Sequence, residues 1–155
     1  MTGITGGDAT TKDITSDLAS PNTRGLFIRP GGLELWLTDS GTNTYRYTMS
    51  SYDPSTLTLA DTYTSMPEAN DIYFSADGMR YYTVIGTTPN AFINQWNLTS
   101  AYDLSTIPGT ADYTIDIDAR VGVSPGQAYG LTFRPSGTDL YILTWPNREI
   151  HQYSA

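Results

Sequence analysis

The sequence predicts an all-β protein made of consecutive repeats of about 50 residues, read as three four-stranded blades of a β-propeller-like array closed by oligomerisation. Three observations carry this. The segments Gly25–Gly32, Asp71–Gly78 and Gly130–Gly137 share one pattern, an apolar strand running into a turn that ends on glycine, and an aromatic residue follows 15 to 18 positions later at Tyr47, Trp96 and Tyr153. The strand after each glycine is apolar or aromatic on both sides, in the columns Leu35/Tyr81/Leu140, Trp36/Tyr82/Tyr141 and Leu37/Thr83/Ile142. Neighbouring strand positions face opposite ways, so such a sheet is covered on both faces, as a propeller blade is by its neighbours. Matching turn openings, Tyr52-Asp-Pro-Ser-Thr56 and Tyr102-Asp-Leu-Ser-Thr106, precede two Thr-, Tyr- and Asp-rich segments. A three-sheet β-prism or a β-sandwich is the alternative architecture.

Taken in order, residues 1–24 form an N-terminal arm rich in Gly, Thr, Ser and Asp, and 25–155 form the three-repeat domain. Within the arm, Lys12 to Leu18 reads as a short strand. Second strands are expected over 33–38, 79–84 and 138–143, third strands over 44–49, 92–98 and 149–155, and fourth strands near 57–65 and 111–117. The last repeat has no fourth strand, whereas the arm supplies one in advance, so the count closes at twelve. Rings usually hold four to eight blades. Three therefore imply head-to-tail assembly, most simply a six-bladed dimer, with Lys12, Ile14 and Leu18 marking an arm that completes a neighbour's last sheet.

Composition narrows the function classes. Eight basic against 16 acidic residues give a net charge of −8, which disfavours nucleic acid and anionic membrane. The start Met-Thr-Gly-Ile-Thr-Gly-Gly lacks the basic and apolar stretches of a secretory signal, and the longest apolar runs are strand-sized. Without cysteine there is no disulfide, thiolate nucleophile or cysteine-held metal. Arg29 and Arg134 occupy the same repeat position, which suggests a structural role.

On Gly130-Leu-Thr-Phe-Arg-Pro-Ser-Gly-Thr-Asp-Leu-Tyr141 and Ala101-Tyr-Asp-Leu-Ser-Thr106 the chain resembles tandem propeller-like repeats of bacteriophage structural and tail-associated proteins, from about residue 25 onward. The middle copy departs, with Asp71 for the leading glycine and Ala76 for proline, and residues 117–128 are an insertion without counterpart. The resemblance implies a scaffold and a phage setting: a non-enzymatic virion structural protein on tail or capsid, assembled in the host cytoplasm with copies of itself and other virion proteins. It carries over no catalytic residues.

Candidate chemistry is sparse. His151 is the single histidine, and no Gly-x-Ser-x-Gly elbow accompanies it. Asp116 with Asp118, or the turn Asp39 to Asn43, offers oxygen ligands for calcium but not the spacing of a dedicated loop, so no metal or cofactor is expected. Asn97-Leu-Thr99 matches a glycosylation acceptor by a pattern short enough to arise by chance. Loops joining second to third strands share one rim of a propeller. Their asparagines Asn43, Asn90 and Asn147, with Trp145, offer amides and an aromatic platform of the kind that recognises sugars, so a host glycan is the alternative partner. Asparagine equally suits the left-handed backbone of tight turns.

Overall fold

The computed structural model describes residues 10–87, 90–117, 127–145 and 148–154. These contain eleven strands in three antiparallel sheets. Sheet 1 holds β1 (Thr23–Ile28), β2 (Glu34–Asp39), β3 (Thr44–Thr48) and β4 (Thr58–Tyr63) in sequence order. Sheet 2 repeats that order with β5 (Asp71–Phe74), β6 (Arg80–Thr87), β7 (Asn90–Asn97) and β8 (Tyr113–Asp116). Sheet 3 has β9 (Gln127–Phe133), β10 (Asp139–Trp145) and β11 (Ile150–Ser154).

The same local chemistry builds each sheet. At the first hairpin the N–H of Gly32, Gly78 or Gly137 donates to the carbonyl three residues back, at 3.1, 2.8 and 2.7 Å. Gly78 and Gly137 take the left-handed backbone such a turn needs; in sheet 1 that conformation falls one residue earlier, on Gly31. Arg29 and Arg134 each bridge the base of their hairpin, to Glu34 at 2.5 Å and Asp139 at 3.3 Å. Leu35 pairs with Tyr47, Tyr81 with Trp96 and Leu140 with Tyr153, and one residue on Trp36 faces Arg46, Tyr82 faces Gln95 and Tyr141 faces Gln152. Between third and fourth strands, Asp53 and Asp103 each accept the N–H of the serine two residues on at 2.9 Å, capping the one-turn helices Pro54–Thr56 and Leu104–Thr106.

The sheets stack face to face in chain order. Phe27 and Trp36 of sheet 1 pack against Ile72, Phe74, Tyr81 and Trp96 of sheet 2, with ring centroids 5.2 Å apart for Phe27–Phe74 and 5.1 Å for Trp36–Phe74. The opposite face of sheet 2, through Tyr82, Val84 and Ile93, packs against Leu131, Leu140 and Ile142 of sheet 3. Inner strands approach closely. A Cβ on Gly25 would lie 2.8 Å from Asp71 Cα, and one on Gly86 only 2.3 Å from the Ala128 nitrogen. Since backbone cannot step aside as a side-chain tip can, Gly86→Ala is expected to cost about 1–3 kcal/mol and to lower the thermal midpoint by several degrees. Thermal unfolding followed by circular dichroism checks this, and an unchanged midpoint would refute the close approach.

The arm differs from expectation. No strand covers 12–18; the carboxylate of Asp13 accepts the Thr15 N–H at 2.9 Å, and Thr15–Asp17 close into one turn of 3-10 helix. Local side-chain capping competes here with extended pairing. Ile14 and Leu18, four positions apart, pack on Leu37, Tyr45 and Tyr47 of the chain's own sheet 1, while Lys12 is exposed. The Ala19 N–H donates to Tyr45 Oη at 2.8 Å and Tyr47 Oη donates to Asp17 at 3.2 Å. In the single chain Ile14 and Leu18 are thus held by their own sheet 1, and the segment is not the strand expected of it.

Candidate functional site

Of the predicted rim residues, Asn43 is tied into its own turn. Asn43 donates its amide to Asp39 Oδ2 at 3.0 Å and its N–H to Oδ1 at 3.3 Å. Asp39 also accepts from the Gly41 N–H and from Tyr45 Oη, both at 2.9 Å. Burial opposes ionisation of Asp39, but the bonds from Asn43, Tyr45 and the turn N–H groups outweigh it and hold its pKa below the ordinary value. The turn read as a possible calcium loop is thus a network of internal hydrogen bonds that ties Asp39, Tyr45 and the arm together. Asn90 begins β7 opposite Thr87, and Asn147 and Asp118 lie outside the described residues. His151 sits 3.3 Å from both Thr144 Oγ1 and Glu149 Oε2, within its own hairpin.

Trp145 has a different setting. It lies at the end of β10, with the Arg148 guanidinium 5.4 Å from its ring. Tyr141 and Leu143 precede it at alternate positions, Leu143 pairs with Ile150, and the opposite side of the sheet is buried against sheet 2. The outer face of sheet 3 therefore carries Tyr141, Leu143, Trp145 and Ile150, with Leu143 at 48% and Ile150 at 74% exposure. At the other end of the stack, β1 exposes Leu26 and Ile28 on the face opposite Phe27.

The register of the three sheets shows what these two faces correspond to. Leu26 and Ile28, 55% and 50% exposed, take the places that Ile72 and Phe74 take in sheet 2, each 1% exposed. Tyr141 takes the place of Trp36 and Tyr82, and Leu143 that of Thr38 and Val84, all buried between sheets. Tyr52 repeats the theme: it is 74% exposed, whereas its counterpart Tyr102 packs 5.7 Å from Trp36 with the Arg29 guanidinium 4.4 Å over its ring. Strand patterning showed that both faces of each sheet were apolar, but only the packing order reveals what remains uncovered among the described residues: the outer face of sheet 3, and on sheet 1 the β1 side of the face whose Leu37, Tyr45 and Tyr47 the arm covers.

Two polar residues, buried Asn70 and half-buried Asp71, escaped the sequence reading. Asn70 donates to the carbonyls of Ala128 at 2.7 Å and Gly86 at 3.4 Å and accepts from Arg24 at 2.5 Å, joining all three sheets near their inner strands. Asp71 accepts the N–H groups of Ile72 and Leu131, both at 2.9 Å, and its charged form is also favoured by the Leu26 N–H. The only sequence signal was that Asp71 stands where the other copies have glycine.

No protein-family model and no curated protein matches the chain. Among solved structures it is similar to two proteins provisionally named 6-phosphogluconolactonases. The one from Bacteroides uniformis aligns over 95% of this chain and 41% of that one, with a TM-score of 0.57 and 16% identity. The one from Bacteroides fragilis aligns over 85% of this chain and 34% of that one, with a TM-score of 0.56 and 16% identity. The chain thus spans about two fifths or less of their length, and the likeness is one of fold. The expected bacteriophage virion role, with its glycan-recognition alternative, is corrected by this finding: the neighbours are bacterial proteins of a different description, and nothing links the chain to a phage particle.

Proposed function

We propose that this chain is a non-enzymatic assembly module, half of a β-propeller ring that closes head to tail with a second copy. The observation that supports it is the pairing of exposed and buried counterparts: the outer face of sheet 3 and the β1 face of sheet 1 are the two halves of the contact that already occurs twice inside the chain. Continuing that stacking lays Leu26 and Ile28 of one copy on Tyr141 and Leu143 of the next. Tyr52 then meets Tyr141 and Arg134, as Tyr102 meets Trp36 and Arg29. Two copies give six blades, within the range of closed rings, through a heterologous contact that closes on itself. The arm contributes by steadying Tyr45 and Tyr47 of sheet 1, not by exchanging a strand. Aspartates at 39, 53, 77 and 103 accept turn N–H groups, which supports a structural use of the acidic residues.

Native mass measurement is expected to give a dimer. Leu143→Asp with Ile150→Asp places charge in the contact and is expected to weaken association by roughly 30-fold or more, leaving a folded monomer. Tyr52→Ala should weaken it less. A stable wild-type monomer at micromolar concentration would overturn the proposal.

A further inference from the structure

Between sheets 2 and 3 runs a groove of about 730 Å³ lined by Arg80, Tyr82, Ile115, Gly137, Leu140 and Tyr153, among others. Its counterpart between sheets 1 and 2 is narrowed to about 360 Å³ by the chain itself. There the segment 98–107 turns inward, burying Tyr102 and Leu104 against Trp36, Tyr81 and Trp96. Tyr102 donates its hydroxyl to the Ala76 carbonyl at 2.9 Å, and its N–H to the Gly78 carbonyl at 2.9 Å. Its ring lies so close to Gly78 that a Cβ there would be 2.3 Å away. The chain then continues as β8 along the outer edge of β7.

In the second groove each wall has its equivalent: Tyr82 for Trp36, Leu140 for Tyr81, Tyr153 for Trp96, Ile115 for Tyr63 and Gly137 for Gly78. A Cβ on Gly137 would meet nothing within 4 Å, and no strand lies outside β11 among the described residues. Arg80, which is exposed, lines this groove, where Glu34 lines the first.

We propose that this groove accepts an extended polypeptide segment supplied in trans: a Tyr-Asp-Leu turn seated over Gly137, followed by a strand added to the outer edge of β11. The tyrosine enters the aromatic slot between Tyr82 and Gly137. The leucine covers Leu140 and Tyr153, and the aspartate meets Arg80. Main-chain pairing with β11 supplies affinity and the two anchors supply register. The groove includes none of the residues of the head-to-tail contact, so the inference goes beyond that reading and survives its failure.

The probe is a fluorescent peptide copying residues 99–117 of this chain, titrated into the full chain by anisotropy. Saturable one-to-one binding is expected. Tyr102→Ala in the peptide, or N-methylation of its Thr114 backbone nitrogen, should weaken it at least tenfold, and Arg80→Glu in the protein several-fold. A photo-crosslinker in place of the peptide tyrosine should label residues 133–140 or 150–154. Absence of saturable binding, equal binding of the N-methylated peptide, or labelling confined to residues 76–81, where the chain's own copy sits, would overturn the proposal.

Discussion

Trp36→Ala is expected to cost the fold about 3–5 kcal/mol, the range for removing a buried aromatic side chain from a packed core. The indole is fully buried at the junction of sheets 1 and 2, with ring neighbours Phe27 at 6.1 Å, Phe74 at 5.1 Å and Tyr102 at 5.7 Å. Phe74 belongs to sheet 2 and Tyr102 to the connection between its β7 and β8, so the cavity would open the contact between sheets as well as one strand. At about 2–4 °C per kcal/mol for a domain of this size, the midpoint should fall by roughly 6–20 °C. Trp36→Phe keeps most ring contacts and should cost less than half as much. Tyr141→Ala supplies the internal comparison, since it truncates the corresponding residue of sheet 3, where no further sheet packs among the described residues. In a monomer its cost should be well below that of Trp36→Ala, and in the proposed dimer its main effect should be on association. Equal losses at the two positions under monomeric conditions would mean that Tyr141 already has a full packing environment.

How far the sequence reaches can be judged from these same residues. The columns Leu35/Tyr81/Leu140 and Tyr47/Trp96/Tyr153 lie at paired positions of their hairpins, because the period of two along a strand and the fixed glycine turn leave little freedom in register. The Asp-x-Ser turns were legible for the same reason: the chemistry that forms them is contained within three residues. Failure came where a local choice competed with pairing. Lys12 to Leu18 has the composition of the other fourth strands, but Asp13 caps its own backbone and Ile14 and Leu18 find sheet 1. Trp145 read as a rim platform because its loop resembles the others. Its place beside Leu143 and Ile150 follows from the direction in which the three sheets stack, and no strand pattern encodes that direction.

Asp71 gives the second large effect, and its pH dependence has a definite sign. Its carboxylate spans sheets 2 and 3 by accepting the N–H groups of Ile72 and Leu131, and Leu26 of sheet 1 also acts on it. Asp71→Ala strands these part-buried donors. At about 1–3 kcal/mol for each buried group left unsatisfied, a total loss of roughly 2–5 kcal/mol is expected. Burial is the largest influence on this carboxyl and raises its pKa above the ordinary 3.8 despite the opposing N–H bonds. A raised native-state pKa means that the folded chain holds this proton more tightly than the unfolded chain. The corresponding stability is fully present below about pH 3.8 and is lost as pH rises through the native value. Asp71→Asn retains one acceptor oxygen and cannot ionise, so it should be milder than alanine at pH 7. The wild type should gain on it as pH falls toward 4. The carboxylates of Asp39, Asp53, Asp77 and Asp103 are held below their ordinary pKa and give the opposite slope, so only the difference between the two proteins isolates Asp71. Urea unfolding of both at pH 4, 5, 6 and 7 measures it. A difference that stays flat, or that favours the wild type increasingly toward pH 7, would show that hydrogen bonding, not burial, governs the charge at the junction of the three sheets.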